Sequence, residues 1–146
     1  MRQSDDQTRR EGDNHRGRKT KVVRHTDLEV YQRAFAAAMT VFRLSKEFPS
    51  EERFSLTDQI RRSARSVAAN ISEGWRKRRY SASFVNKLND SEGEAAETQT
   101  WLQFAVESEY LDPDVVRDLY TEYDNLIGML VNMQNHPEKW ALTPKK

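Results

Sequence analysis

Four consecutive cations follow a tryptophan in the stretch NISEGWRKRRY, which spans residues 70–80. The four are Arg76, Lys77, Arg78 and Arg79. Arginine and lysine neutralise phosphate groups, an attraction that does not depend on base sequence. Trp75 and Tyr80 flank the run, and aromatic rings stack on unpaired bases. The stretch therefore predicts a surface for RNA or single-stranded DNA. Two alternatives stay open: the cations pair with acidic helices of a neighbouring subunit, or they form a solvated helix face.

The segment before this stretch has the pattern of an amphipathic helix with cations opposite its apolar side. At about 100° per residue, the apolar stripe and the arginines fall on different faces of a helical wheel. The expected buried stripe is Leu56, Ile60, Ala64, Val67 and Ile71. The expected outward cations are Arg61, Arg62, Arg65 and Arg76, with Arg79 added if the helix continues. We expect this face to extend the phosphate-binding surface.

Asn70 and Glu73 fall at the edge of the apolar face, beside small residues that permit close approach of another helix. A buried amide or carboxylate without a partner is costly, so both side chains should be hydrogen-bonded. We expect the partner to be an arginine or the exposed end of a neighbouring helix. Gly74 follows, and a glycine at this position weakens the helix and can end it. Replacing Asn70 or Glu73 should therefore lower stability or assembly.

The sequence offers little for catalysis or metal binding. The chain has no cysteine, and none of its three histidines stands in the Glu-x-x-His pair that di-iron bundles use. No P-loop, dinucleotide turn or nucleophile elbow occurs. A metal-dependent nuclease that uses Asp58, Glu73 and Glu97 is the single enzyme that these residues would allow. We expect no catalytic residues, no metal and no cofactor.

The remaining pattern predicts an all-α protein, an antiparallel up-down-up-down four-helix bundle over residues 25–140. Residues 1–24 are basic and almost free of apolar residues, so we expect a disordered arm, and residues 141–146 form a tail. The arm's Arg16, Arg18, Lys19 and Lys21 should add to phosphate binding.

Capping signals predict where each helix begins. The starts are Thr26 or Asp27, then Ser55, Ser81 and Asp112-Pro113. The buried stripe expected for the first helix is Leu28, Tyr31, Phe35, Ala38, Phe42 and Ser45. For the third helix it is Phe84, Leu88, Ser91, Ala95, Thr98, Leu102 and Ala105. For the fourth helix it is Val116, Leu119, Tyr123, Leu126, Leu130 and Met133.

The chain of 146 residues fits one domain plus a tail, and its net charge is only +1. The charge is unevenly distributed, because residues 53–79 carry a net +6 and residues 80–138 a net −10. No apolar run approaches the roughly 20 residues of a membrane span, and the N-terminal residues contain no apolar segment to act as a signal peptide, so we expect neither. We expect a cytoplasmic protein with one basic and one acidic surface.

Three segments resemble a known family: DLEVYQRAF, FPSEERFSLTDQIRRSARSVAANISEGW and EGEAAETQTWLQFAVESEYLD. They are similar to the small four-helix bundle proteins encoded in intervening sequences of bacterial 23S ribosomal RNA genes. The resemblance covers about residues 27–135. Its most specific part runs from Gln59 to Gly74 and fits the family's QIRRA…SI…NIAEG pattern. Glu97 stands where the family carries a glutamate on the third helix.

The resemblance implies a homopentamer around a central channel, and nucleic-acid binding. It gives Gln59, Asn70, Glu73, Gly74 and Glu97 a role in structure or assembly. A more distant likeness to the accessory variability protein of diversity-generating retroelements implies a reverse transcriptase as partner. Two hypotheses follow. The first is a non-catalytic, oligomeric nucleic-acid-binding protein of low specificity, directed to RNA first. The second is an assembly module that docks a protein such as a reverse transcriptase.

Overall fold

A computed structural model of the chain describes residues 21–140. Residues 1–20 and 141–146 lie outside the described part, and with them Arg16, Arg18, Lys19 and the expected tail. The described residues form four helices and no strand: α1 (Glu29–Ser45), α2 (Leu56–Arg76), α3 (Ser81–Glu107) and α4 (Pro113–Asn135). Short 3₁₀ turns cover His25–Asp27, Ser50–Glu52 and Pro137–Lys139. The predicted all-α fold with four helices is confirmed.

Each helix packs against two others, so that the four surround one core. Helix α2 lies between α1 and α3, and α4 lies between α3 and α1. Connections of ten, four and five residues join the consecutive helices. Arg33 of α1 donates from Nε to Glu122 of α4 at 3.1 Å, which ties the first helix to the last. Their alternating direction stays a prediction from these short connections.

The buried stripes predicted for α2, α3 and α4 are confirmed. Every residue expected to be inside on these three helices is buried. Tyr123 and Phe84 are the largest fully buried side chains of the described part, and aliphatic residues surround them. Trp140, beyond the end of α4, packs against this core.

The buried stripe predicted for α1 is wrong at most of its positions. Leu28 and Ser45 are buried as predicted, but the helix buries Val30, Ala34, Ala37 and Val41 in place of the other four. Phe35 is 53% exposed, and Tyr31, Ala38 and Phe42 are only half-buried. Smaller side chains therefore face the core, and the larger ones of α1 lie along its junction with α2. An apolar groove results on the surface.

Some of the predicted helix starts are confirmed and others are wrong. Asp112 caps α4, accepting a hydrogen bond from the backbone N–H of Asp114 at 2.8 Å, with Pro113 as the first helical residue. Ser81 is already inside α3, whose N-cap is Tyr80. Ser55 holds the N-cap position of α2, but its hydroxyl donates to a glutamate of the preceding turn. The predictions for α4 and for the position of Ser55 are confirmed, and that for Ser81 is wrong by one residue.

Asp27 binds backbone groups of the residues before α1 and does not cap this helix. Its carboxylate accepts the backbone N–H groups of Arg24 at 2.9 Å and Val23 at 3.1 Å. These two hydrogen bonds, that of Arg24 first, lower the pKa of Asp27 below its ordinary value. The N-cap of α1 is Leu28, which offers no side-chain hydrogen bond. Thr26 and Asp27 therefore shape the entry into the bundle, and the predicted capping role is wrong.

Candidate functional site

Helix α2 does not end at Gly74. It continues to Arg76, and the backbone N–H of Lys77 donates to the carbonyl of Glu73 at 3.1 Å. A Cβ atom on Gly74 would lie 3.2 Å from the Cβ of Lys87 on α3, so the glycine permits the two helices to approach closely. The prediction that Gly74 ends the helix is wrong, and none of the described glycines has a positive φ. The helical turn that follows Gly74 therefore keeps the same face toward the core.

Trp75 lies inside the bundle as a consequence. It is 5% exposed, and its Nε1 donates to the carbonyl of Val23 at 3.2 Å. The guanidinium of Arg78 lies 3.9 Å from the centre of the indole ring. Since the ring is buried and covered, it cannot stack on a base, and the predicted stacking role of Trp75 is wrong. Tyr80, 66% exposed, keeps an open ring at the start of α3.

The four cations after Trp75 separate into two kinds. Arg78 folds back and donates from Nη1 to the carbonyl of Trp75 at 2.7 Å. Burial, and then the neighbouring Arg76, lower the pKa of Arg78 below its ordinary value. Arg76, Lys77 and Arg79 are exposed and make no ion pair or side-chain hydrogen bond with other described residues. Three of the four predicted cations therefore face solvent, and the fourth packs on the core.

Arg62 points toward α3 and away from the outward stripe. It donates from Nη2 to Glu97 at 2.7 Å, and its Nη1 lies 3.4 Å from Glu94. The prediction that Arg62 belongs with the outward cations is wrong, because these acids compensate its charge. Glu97 also accepts from Nε1 of Trp101 at 3.2 Å, and Gln59 accepts from Nε of Arg62 at 3.4 Å. These contacts place Gln59 and Glu97 at the junction of α2 and α3.

The carboxylate of Glu94 is only partly hydrogen-bonded. One of its oxygens is buried without a hydrogen-bond partner among the described residues. Burial raises the pKa of Glu94 above its ordinary value, Arg62 opposes that rise, and Glu97 adds to it. The hydrogen bond from Arg62 to Glu97 in turn raises the pKa of Arg62. Arg62 therefore places a compensating positive charge beside two neighbouring carboxylates on α3.

Asn70 is hydrogen-bonded, as predicted, and Glu73 is ion-paired, but both have other partners than expected. Asn70 donates from Nδ2 to the carbonyl of Ser66 on its own helix at 2.9 Å. Glu73 pairs with Nζ of Lys87 on α3 at 3.1 Å. The expectation of an arginine or a helix end is therefore wrong for both. Glu73 adds a second ion pair between α2 and α3, close to the tight contact at Gly74.

A groove of about 550 Å³ runs along the exposed side of the first half of α2. This basic groove is lined by Arg53, Phe54, Thr57, Asp58, Arg61, Arg62, Arg65, Ser66 and Ala69. Nε of Arg61 donates to the hydroxyl of Ser45 at 2.7 Å, and the Arg61 and Arg65 guanidinium carbons lie 4.8 and 5.8 Å from the ring centre of Phe42. Apart from the paired Arg62, its arginines have no carboxylate partner among residues 21–140.

Sequence reasoning missed two residues of this groove. Arg53 and Phe54 lie in the connection between α1 and α2, which the pattern shows only as a loop. Phe54 is 87% exposed, and the guanidinium of Arg53 lies 5.3 Å from the centre of its ring. The sequence does contain a signal for them: Phe54 is apolar, follows the cation Arg53 directly and precedes α2, yet it is not part of the buried stripe predicted for that helix.

A second groove, of about 370 Å³, lies between α1 and α2. This apolar groove is lined by Tyr31, Phe35, Ala38, Met39, Phe42, Arg65, Ala68, Ala69 and Ser72. Arg65 and Ala69 belong to both grooves, so the two share one ridge of α2. Lys21 is exposed at the first described position.

The carboxylates weighed for a nuclease are not brought together. Asp58 and Glu73 both lie on α2, fifteen residues apart, which is about 22 Å along a helix. Within residues 21–140, no three His, Cys, Asp or Glu side chains form a cluster that could hold a metal ion. Over the same residues, none of the helices is both long and apolar enough to cross a membrane.

The chain is similar to a protein of unknown function from the S23 ribosomal protein family of Bacteroides thetaiotaomicron. The two structures align with a TM-score of 0.65 and 28% sequence identity, over 72% of this chain and 97% of the other. No curated protein matches the sequence. The family model described as "23S rRNA-intervening sequence protein" matches residues 26–132. Because this match covers most of the sequence, the chain belongs to the 23S rRNA-intervening sequence protein family.

Proposed function

We propose that the protein is a non-catalytic, cytoplasmic nucleic-acid-binding protein of low sequence specificity, directed to RNA. The observation that carries this proposal is the line of cations along the exposed side of α2. Arg61, Arg65 and Arg76 share that side, and Lys77 and Arg79 extend it into the link before α3. None of these five has a carboxylate partner among the described residues. A polyanion supplies the negative charge that such a surface lacks.

The spacing of the cations suits an extended chain of phosphates. Arg61 and Arg65 are one helical turn apart, about 6 Å along the axis. Arg76 follows Arg65 by eleven residues, about three turns, and so returns to the same side about 16 Å further on. The line is thus about 22 Å long before the link begins. A single strand could follow it and contact several phosphates in succession.

A salt titration tests the proposal. The variant R76S/K77S/R79S removes three exposed cations and keeps Arg78, which packs on Trp75. We expect weaker binding to a 20-nucleotide oligouridylate in fluorescence anisotropy. The slope of log affinity against log salt should become less steep by about 0.7 for each phosphate that the variant no longer neutralises. The melting temperature should stay unchanged, because these side chains leave the core untouched.

The matched control is R117S/K139S, which removes two exposed cations near the ends of α4. Its affinity and its salt slope should equal those of the wild type. Unchanged affinity and slope in R76S/K77S/R79S would refute the basic line as the binding surface. If that variant also falls to a smaller mass, the cations are a subunit contact.

A second candidate function is self-assembly through the apolar groove, and its exposed side chains favour it. Phe35 is 53% exposed and Met39 is 38% exposed, although both are large and apolar. We propose a second copy of this chain as the occupant. The net −10 of residues 80–138 complements the net +6 of residues 53–79 around the groove. The family resemblance suggests five copies in a ring. A reverse transcriptase, suggested by the retroelement likeness, is the alternative partner if the chain proves monomeric.

A further inference from the structure

We propose that Phe54 stacks on an unpaired base in the basic groove, so that the protein binds single strands in preference to duplexes. This inference rests on the proposed nucleic-acid binding and adds the form of the ligand and the place where a base is held. Phe54 lies in the connection between α1 and α2. The cations of α2 alone would bind any polyanion, so a preference for single strands needs this further residue.

The exposure of Phe54 is the first observation. At 87%, it is the most exposed of the large apolar side chains in the described part of the chain. Leu56, two residues later, is buried at 7%, so the segment is anchored to the bundle without help from Phe54. The fold therefore gives no reason for a phenylalanine here. An exposed ring on an anchored segment is a preorganised stacking surface.

The charges around the ring are the second observation. Arg53, Arg61 and Arg65 line the same groove, and none has a carboxylate partner among residues 21–140. Arg62 does not count toward the free charge, since Glu94 and Glu97 neutralise it. Asp58 is the one acid in the lining, so the three available cations outnumber it by two. A base on Phe54 would have its flanking phosphates within reach of guanidinium groups.

The size of the groove and the stacking of bases inside a duplex also favour a single strand as the ligand. About 550 Å³ lies within the range of small-ligand sites and accommodates a nucleotide. In a duplex, each base is stacked between its neighbours, so a protein ring reaches a base only in a single strand or after flipping it out. A surface of cations alone makes no such distinction. Phe54 is therefore the residue that favours single strands.

A second copy of the chain is the competing occupant, because Phe54 also borders a small groove with Trp101 and Phe104. Such a copy would have to bring carboxylates to Arg53, Arg61 and Arg65. Residues 80–138, with a net charge of −10, are the part of a copy that could supply them. A groove of nucleotide size beside the exposed ring favours the nucleic acid, and mass measurements on the variants below decide between the two.

The experiment compares F54L and F54Y with the wild type on a 12-nucleotide oligouridylate and on a 12-base-pair RNA duplex. Leucine keeps an apolar side chain without a ring, and tyrosine keeps the ring. We expect F54L to lose about 5- to 150-fold in single-strand affinity and F54Y to retain it. Duplex affinity should change little in either variant. The salt slope of F54L should equal that of the wild type, because the cations that neutralise phosphates are all kept.

F104L is the matched control, since Phe104 is 55% exposed on α3 and lies outside the basic groove. It should bind as the wild type does. If the wild type binds neither nucleic acid, the proposed function fails, and this inference fails with it. If the wild type binds and F54L keeps its single-strand affinity, or loses equally on the duplex, only this inference is overturned. A drop in the mass of F54L by light scattering would make Phe54 a subunit contact and overturn it as well.

Discussion

Gly74 allows α2 to pack tightly against α3. A Cβ at this position would lie 3.2 Å from the Cβ of Lys87 and 3.6 Å from the carbonyl oxygen of Phe84. Both atoms are fixed by the backbone of α3, so the helix itself would have to shift. We expect G74A to lower the free energy of unfolding by about 1 kcal/mol, as overpacking outweighs the better helix propensity of alanine. Urea denaturation measures the change.

Two other glycines provide the control. Gly93 in α3 and Gly128 in α4 lie inside helices and have nothing within 4 Å of an added Cβ. G93A and G128A should each raise the free energy of unfolding by up to about 1 kcal/mol, the propensity difference between glycine and alanine. A stabilising G74A would show that α3 yields easily and that the glycine is not needed for packing.

Trp75 illustrates how far the sequence predicts the site. The cations at residues 76–79 are recognisable from composition, but whether the ring beside them faces solvent or core depends on whether the helix continues past Gly74. Trp75 follows Ile71 by four residues, so an unbroken helix at about 100° per residue places it about 40° from Ile71, next to the apolar stripe. Gly74 lies close to another helix, where an added Cβ would be 3.2 Å from the Cβ of Lys87. Such a contact is not present in the local sequence.

At the scale of the elements, the junction of α2 and α3 combines hydrogen bonds with ion pairs. Thr98 donates to the hydroxyl of Ser63 at 2.8 Å, and Ser91 donates to the carbonyl of Val67 at 2.7 Å. Both pairs are buried, so their loss would leave unsatisfied groups inside the bundle. Ion pairs at Arg62 and Lys87 lie along the edge of this junction. Small polar residues thus hold the helices close, and charges fix their edges.

R62Q should make the stability of this junction depend on pH. At pH 7 the variant leaves Glu94 and Glu97 facing each other, and we expect a loss of about 1–2 kcal/mol, moderated because Arg62 is half exposed. Burial already raises the pKa of Glu94, so its protonated form favours folding. That contribution is complete at acid pH and is lost as the pH rises through the raised pKa. Urea melts of both proteins at about pH 7 and pH 4.5 measure the difference.

The deficit of R62Q relative to the wild type should therefore shrink as the pH falls, because Glu94 is then protonated in the variant. In R62Q/E94Q, where residue 94 cannot ionise, the deficit at pH 7 should be smaller and should change less with pH. A deficit that grows on acidification would show that Arg62 does not act by holding Glu94 ionised.

Helix α1 shows the limit of prediction for an element. Its sequence carries two adjacent apolar stripes, one of large side chains through Tyr31, Phe35 and Phe42, and one of small side chains through Ala34 and Ala37. Periodicity alone permits either stripe to face inward, and the larger one buries more area. The structure buries the smaller one. The buried stripes of the other three helices are predicted correctly because each has a single apolar stripe.

At the scale of the whole molecule, the entry of the chain into the bundle matters for stability. Trp75 donates to the carbonyl of Val23, and Val22 packs against the core. Removing residues 1–24 would leave the indole N–H without this acceptor, at a cost of about 1–3 kcal/mol. Removing residues 1–20 keeps both contacts, so we expect the melting temperature of the wild type. Thermal denaturation of the two truncated proteins compares them.

Both truncations should weaken oligouridylate binding, because each removes Arg16, Arg18 and Lys19. The two effects are therefore separable: removing cations lowers affinity in both proteins, and removing the Val23 carbonyl lowers stability only in the shorter one. Equal melting temperatures for the two proteins would show that the hydrogen bond from Trp75 to Val23 contributes nothing measurable.

Self-assembly is the prediction that concerns the complete surface. The apolar groove exposes Phe35 and Met39, and the basic ridge beside it is matched by an acidic charge elsewhere on the same chain. A surface that complements a different surface of its own copy makes head-to-tail contacts, and these close into a ring if the rotation permits. Light scattering at micromolar concentration should give a multiple of 17.1 kDa, with five chains as the expected number.

F35E/M39E should reduce the mass to one chain without unfolding it, since both side chains lie outside the core. V115E/V131E, which charges two exposed apolar residues of α4, should keep the mass of the wild type. A wild-type mass of 17.1 kDa would refute the assembly and leave the apolar groove to another protein, of which a reverse transcriptase is the first to test.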